Sequence, residues 1–174
     1  HLRTRRQRQM CIRDRITRCA SSFDRDYADV RSVVIGHAQD EHRDYEILEQ
    51  DYVACGGNAV VIRNQPRNAG SEALHAFLMY RASQPNPVDL LGAMWIIEGL
   101  GNKMATEWAG RIEEQVGNTN CTQFLRYHGE NDDAHMDKLY GLIDRVCSDE
   151  AAADKIVRTA IVCLLYTSDA ADES

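Results

Sequence analysis

The sequence predicts an all-α fold in which helices pack around one core. Apolar residues recur at helical spacing through most of the chain, and no segment shows the strict alternation of apolar and polar residues that is typical of a strand. The Gly56-Gly57 pair and the prolines fall between the helical stretches, where they can end a helix. No internal repeat interrupts this pattern, so we expect a single helical domain.

The first predicted helix runs from Asp29 to Cys55 and ends at Gly56-Gly57. Residues 58–69 follow Gly56-Gly57 and mix asparagine and proline with the short apolar run Val60-Val61-Ile62. We interpret them as a connection that packs one apolar patch, not as a strand.

A second helix is expected from Glu72 to about Ser83, with Ser71 as its N-terminal cap. Gln84-Pro85-Asn86-Pro87 ends it, because proline lacks the amide hydrogen and restricts the residue before it. Three further helices are predicted: Val88–Val116, Thr122–Val146, and a last one that begins near Asp149 and reaches at least Ile161.

Both ends of the chain look foreign to this domain. Residues 1–15 carry six arginines and one aspartate, and their second half resembles a translated sequencing adapter, as does the tail 163–174. Such ends are typical of metagenomic reading frames, so we expect non-native or disordered ends around a domain at 16–162 that lacks part of its first and last helices. Without these ends, 14 basic and 23 acidic side chains leave a net charge of −9. This acidity argues against a nucleic-acid or membrane partner.

The four cysteines inside that domain, Cys19, Cys55, Cys121 and Cys147, are widely spaced in the sequence and form no CxxC pair. This spacing favours a reducing, cytoplasmic environment over a disulfide scaffold or a zinc ribbon. The apolar stretches are shorter than the ~20 residues that a membrane span needs, and no signal peptide is visible.

The clearest candidate for a metal-binding site is formed by His128, Asp132 and His135. Their spacings of four and three place them on one stripe of a helix. Two imidazoles and a carboxylate on one face suit iron or manganese. The alternative is a hydrophilic helix face that carries histidines by coincidence.

Glu98 directly follows the apolar run Leu90–Ile97, which is apolar on nearly all sides of its helix and is therefore expected at the centre of the bundle. An ionised carboxylate in such a setting is costly unless it is paired or bound to metal. The alternative is that Glu98 reaches solvent or forms an ion pair with Lys103.

His37, Glu41 and Asp44 repeat the stripe with spacings of four and three, whereas His42 lies well around the helix from it. The neighbouring charges could also make this a solvated face. Carboxylates and histidines that point inward from several helices are how di-iron bundles build their sites. Glu72 and His75 form a reserve pair with i,i+3 spacing, near a helix start where glutamate is common anyway.

Residues from about 30 to 162 resemble the haem-oxygenase-like iron-containing redox enzymes, the family of the chlamydial death-domain-associating protein. The family's H-x3-D-x2-H helix is matched by His128, Asp132 and His135. Its glutamate after an apolar helix that follows an Asn-Pro turn is matched by Glu98.

The family's first ligand helix commonly places a glutamate and then a histidine seven residues apart. His37 and Asp44 occupy these two places with the ligand types exchanged, and Glu41 lies between them on the same face. The resemblance implies a haem-oxygenase-like bundle that holds two iron ions, or a manganese–iron pair, and uses O2 to oxidise a small organic substrate. The chain could act as a homodimer.

Three other functions remain open. A haem oxygenase proper would use an early histidine such as His37 as its axial ligand and the glycines of Gly99-Leu100-Gly101 over the haem. A non-enzymatic helical interaction module would use Glu98 and the histidines only as structural residues. A metal-free, thiaminase-like enzyme would need an activated cysteine, which the sequence does not reveal.

Overall fold

The computed structural model describes residues 11–147 and 150–172, with side chains described at 13–130, 133–147 and 150–165. Within these residues every regular element is helical, which confirms the all-α prediction. The eight α-helices are α1 Cys11–Ser21, α2 Ala28–Asp40, α3 Tyr45–Ala54, α4 Ala59–Asn64, α5 Ala69–Ala82, α6 Leu90–Val116, α7 Gln123–Val146 and α8 Glu150–Asp172. Short 3-10 turns occupy Arg25–Tyr27, Glu41–Arg43 and Thr119–Cys121.

The single helix predicted from Asp29 to Cys55 is wrong, because the 3-10 turn Glu41–Arg43 divides it into α2 and α3. No proline or glycine marks this break. The turn lies where the buried Glu41 side chain meets α7, so tertiary contacts and not local helix propensity account for it.

The connection predicted at 58–69 is also wrong in part. Asn58 caps the short helix α4 by accepting a hydrogen bond from the Val60 amide, and Val60 and Val61 are exposed instead of packing an apolar patch. The cap of α5 is Asn68, whose side chain accepts from the amide of Ser71. Because Asn68 is the cap, α5 begins at Ala69, earlier in the chain than the predicted Glu72.

Helix α6 is the centre of the bundle, as its apolar run predicts, and it packs against both α7 and α8. Its first turns from Leu90 to Met94 are buried. The approach to α8 is so close that a Cβ atom at Gly92 would lie 2.0 Å from the backbone oxygen of Ile156. Gly129 plays the same role in α7, where a Cβ atom would meet Thr106 of α6. Glycine at both crossings therefore positions the helices that carry Glu98 and the α7 histidines.

The expected domain boundaries after residue 15 and before residue 163 both fall inside helices. Helix α1 begins at Cys11 and buries Ile16, Cys19 and Ala20, and α8 continues to Asp172 with Cys163 buried. Residues 1–10 and the predicted helix start at Asp149 lie outside the described residues. None of the described helices is long and apolar enough to cross a bilayer.

Candidate metal centre

Six of the seven predicted ligand side chains converge inside the bundle in two groups. The first group is His37, Glu41, Glu98 and His135; the second group is Glu41, Asp44 and His128. Within each group, one potential ligand atom from every member lies within 4.8 Å of the others. Glu41 belongs to both groups, so a single carboxylate joins them.

The two groups are assembled from four segments. Helix α2 supplies His37, the turn between α2 and α3 supplies Glu41, and Asp44 immediately precedes α3. Helix α6 supplies Glu98. The fourth segment, α7, supplies both His128 and His135.

Two sequence candidates remain to be placed. The side chain of Asp132 lies outside the described residues, although its backbone belongs to α7 between the two histidines. The reserve pair Glu72 and His75 lies on α5 and belongs to neither group.

Glu98 contacts both histidines of the first group. Its Oε1 lies 3.4 Å from Nε2 of His37, and its Oε2 lies 3.2 Å from Nδ1 of His135. The same His135 nitrogen is 3.5 Å from Oε1 of Glu41, and the two imidazole rings meet edge to face with their centroids 5.1 Å apart. A buried carboxylate thus bridges two imidazoles contributed by different helices.

The second group places Nε2 of His128 3.6 Å from Oδ2 of Asp44. The carboxyl groups of Asp44 and Glu41 are hydrogen-bonded to each other. Aromatic rings surround the imidazole of His128: the centroid of Phe124 lies 4.4 Å from it and that of Tyr127 5.4 Å. These rings fix the orientation of the histidine toward the carboxylates.

Burial shifts the pKa values of Glu41, Asp44 and His37 toward their neutral forms. The pKa of Glu41 is raised to about 7 by burial and then by the neighbouring charges of Glu98 and Asp44. Burial also raises the pKa of Asp44 and lowers that of His37. The hydrogen bond that His135 donates to the Glu98 carboxylate raises the pKa of His135. Without a cation, burial therefore favours the neutral forms of Glu41, Asp44 and His37, whereas contact with Glu98 favours the cationic form of His135.

The residues present fit metal binding. Oε1 of Glu41 is buried and finds no hydrogen-bond donor among the side chains that the structure describes, and an unsatisfied carboxylate oxygen at such a depth is costly. A cation would compensate it. Imidazole nitrogens and carboxylate oxygens in a mixed set are the donors that iron and manganese accept.

Two residues near the centre were not among the predicted site residues. Asp40 lies on the outer side of His135, with Oδ2 3.7 Å from Nε2 of the ring and 3.2 Å from Nζ of Lys138. The buried Asp51 accepts hydrogen bonds from the amides of Gln123 and Phe124, so it caps α7 from α3. Its spacing of seven from Asp44 continues the same stripe and could have revealed it.

An apolar cavity opens beside the first group, with about 350 Å³ of empty space, part of which is open to solvent. His37 and Glu98 form one wall of it. The rest of its lining comes from α1, α5 and α6, as Arg15, Ile16, Leu78, Leu90, Ala93, Met94 and Ile97.

Comparison with known proteins decides the family. A family model described as "Iron-containing redox enzyme" matches residues 35–167. The chain belongs to the iron-containing redox enzyme family. The match to this family covers every residue of both metal groups and extends past residue 162, the expected end of the domain.

The fold of this family member has a solved counterpart: a domain of unknown function with a haem-oxygenase-like fold from Shewanella denitrificans OS217. The TM-score is 0.88 at 17% sequence identity, over 95% of this chain and 72% of that chain. This likeness confirms the haem-oxygenase-like fold that the resemblance implies. No curated protein shows significant sequence similarity to the chain.

Proposed function

We propose that the two groups hold two iron ions and that the protein is an oxidase or oxygenase that uses O2 to oxidise a small organic substrate. The single observation that carries the proposal is that Glu41 belongs to both groups, because a carboxylate shared by both groups can offset the positive charge of two neighbouring cations. A manganese–iron pair would use the same donors.

In this proposal His37, Glu98 and His135 hold one ion and Asp44 and His128 the other. Asp132 joins the second ion by resemblance to the family. When bound, reduced iron supplies the electrons for the reduction of dioxygen.

The protein's own residues fix this donor set and limit its contact with water. Glu41 and Glu98 are buried, and the α7 ring of Phe124 covers His128. The three carboxylates offset the cationic charge, while neutral imidazoles complete the set without adding charge. The cavity beside His37 and Glu98 provides an apolar route by which a small substrate would reach the first group.

The haem-oxygenase alternative assigns His37 a different role, as an axial ligand. Nε2 of His37, one of the two ring atoms that could bind a haem iron, already lies 3.4 Å from Glu98 Oε1 and belongs to the first group. This contact favours the di-metal proposal, since a haem would have to displace a buried carboxylate. Absence of a Soret band after addition of haemin is therefore expected.

The test is anaerobic reconstitution of the full chain with Fe(II), followed by measurement of bound iron per chain. We expect about two ions in the wild type. The double variant His128→Ala/His135→Ala removes one imidazole from each group and should lose both.

A matched control removes the same number of imidazoles elsewhere. His42 is exposed and bonded to the carbonyl of Gln39, and His75 lies on α5, so the double variant His42→Ala/His75→Ala should keep its iron. Wild-type protein that is helical by circular dichroism and binds no iron would contradict the proposal and leave the interaction-module function as the better one.

A further inference from the structure

Two cysteines that are far apart in the sequence face each other where α3 meets the start of α7. Cys55 follows the last residue of α3 and is exposed, whereas Cys121 ends the 3-10 turn before α7 and is buried. Burial raises the pKa of Cys121, and hydrogen-bonding contact with the Cys55 thiol raises it further. Neither thiol belongs to a metal group.

The backbone on both sides of this thiol pair is held together by independent contacts. The side-chain amide of Asn118 donates to the carbonyl of Ala54 at 2.9 Å. The carboxylate of Asp51 accepts from the amides of Gln123 at 3.0 Å and Phe124 at 2.8 Å. Because these bonds flank both cysteines, the approach of the two sulfur atoms follows from the packing of α3 on α7.

We propose that Cys55 and Cys121 are a redox-active pair that closes to a disulfide when it reacts with hydrogen peroxide. The exposed Cys55 sulfur attacks one peroxide oxygen, the O–O bond breaks, and a sulfenic acid and one water are formed. The Cys121 sulfur then attacks the Cys55 sulfur, and the S–O bond breaks to release a second water. The two thiols lose two electrons and two protons, which the peroxide takes up.

The disulfide would tie together the helices that carry the second metal group. Asp44 immediately precedes α3 and His128 lies on α7, so a covalent link between these helices restricts their separation. In the reduced protein, noncovalent contacts alone hold α3 to α7. Oxidation therefore strengthens the contact that sets the distance between Asp44 and His128.

The test treats the reduced, metal-free full chain with hydrogen peroxide, blocks the remaining thiols with iodoacetamide and digests the protein with trypsin. Cleavage after arginine gives two peptides with one cysteine each. Residues 44–63 contain Cys55, and residues 112–126 contain Cys121. We expect these peptides joined, with a mass lower by two hydrogen atoms than their sum. The link should disappear in Cys55→Ser and persist in Cys147→Ser.

Recovery of both peptides in alkylated form, their oxidation without a cross-link, or a link between two chains would overturn the proposal. The experiment contains no metal, so its failure would leave the iron proposal untouched. Conversely, a cross-link in protein that binds no iron would support the thiol pair and contradict only the proposed metal function.

Discussion

The first and second metal groups share Glu41 but differ in how the chain builds them. The first group combines α2, the turn at Glu41, α6 and α7, has four described donors, and borders the apolar cavity. The second group uses the segment around the 3-10 turn and α7, and has three described donors. The side chain of Glu98 in the first group is 5% exposed, whereas that of Asp44 in the second is 14% exposed.

This difference indicates a division of roles. The position of the first group depends on the central helix α6, which is anchored at Gly92 against the backbone of α8. The position of the second group depends on the short turn at Glu41 and on Asp51, which holds α7 to α3. We therefore expect the first group to be the firmer metal site and the second to be more sensitive to substitution.

The largest expected effect separates the two groups by their iron content. His128→Ala leaves two described donors in the second group and should reduce bound iron from about two ions to about one. His37→Ala leaves three donors in the first group and should retain more iron than His128→Ala in a chelator competition. Equal losses in the two variants would remove the distinction between the groups.

A substitution at Asp132 tests whether the second group has a further ligand. If its carboxylate completes the second group, Asp132→Asn should release iron as readily as His128→Ala does. The matched control is Asp133→Asn, because the neighbouring Asp133 is exposed and accepts a hydrogen bond from Asn102. Iron retention by Asp132→Asn at the level of the control would show that Asp132 is not a ligand of the second group.

The next effect concerns the metal-free protein and pH. Because the pKa of Glu41 is raised to about 7, the unfolded chain releases this proton at lower pH than the folded chain does. The free energy of unfolding should therefore fall as pH rises from about 4.5 to about 7, by up to about 3 kcal/mol. Glu41→Gln should remove this fall, whereas Glu46→Gln, at an exposed ion pair with Arg43, should keep it.

Urea unfolding at several pH values measures this effect. Two outcomes would contradict the raised pKa of Glu41. One is a wild type whose free energy of unfolding rises over that interval, and the other is a Glu41→Gln variant with the same pH dependence as the wild type.

The smallest expected effect concerns the cap of α7. Asp51→Asn loses one charge-assisted acceptor for the amides of Gln123 and Phe124, so the free energy of unfolding should fall by about 2 kcal/mol. The exposed Asp137→Asn on the same helix serves as the control and should change it by less than about 0.5 kcal/mol. Loss of iron from Asp51→Asn should affect the second group first, and equal stability of the two variants would rule out the cap.

Much of the fold could be predicted from local patterns. Helical spacing located α6 and α7 because their apolar faces recur within a few residues, and Asn86-Pro87 marked the start of α6. The break at Glu41–Arg43 could not be predicted, since no proline or glycine marks it, and it lies where Glu41 contacts α7. The cap of α5 was missed because Ser71 and Asn68 both fit the local preference.

The sequence by itself determined which residue types lie on each helix face, because a helix repeats its faces every three to four residues regardless of its neighbours. It therefore supplied the stripes of His37 and His128 and the buried position of Glu98. Only the tertiary structure decided that Glu41 belongs to both groups and that Cys55 meets Cys121. Distances between helices depend on how side chains pack across them, and no spacing within one helix encodes that packing.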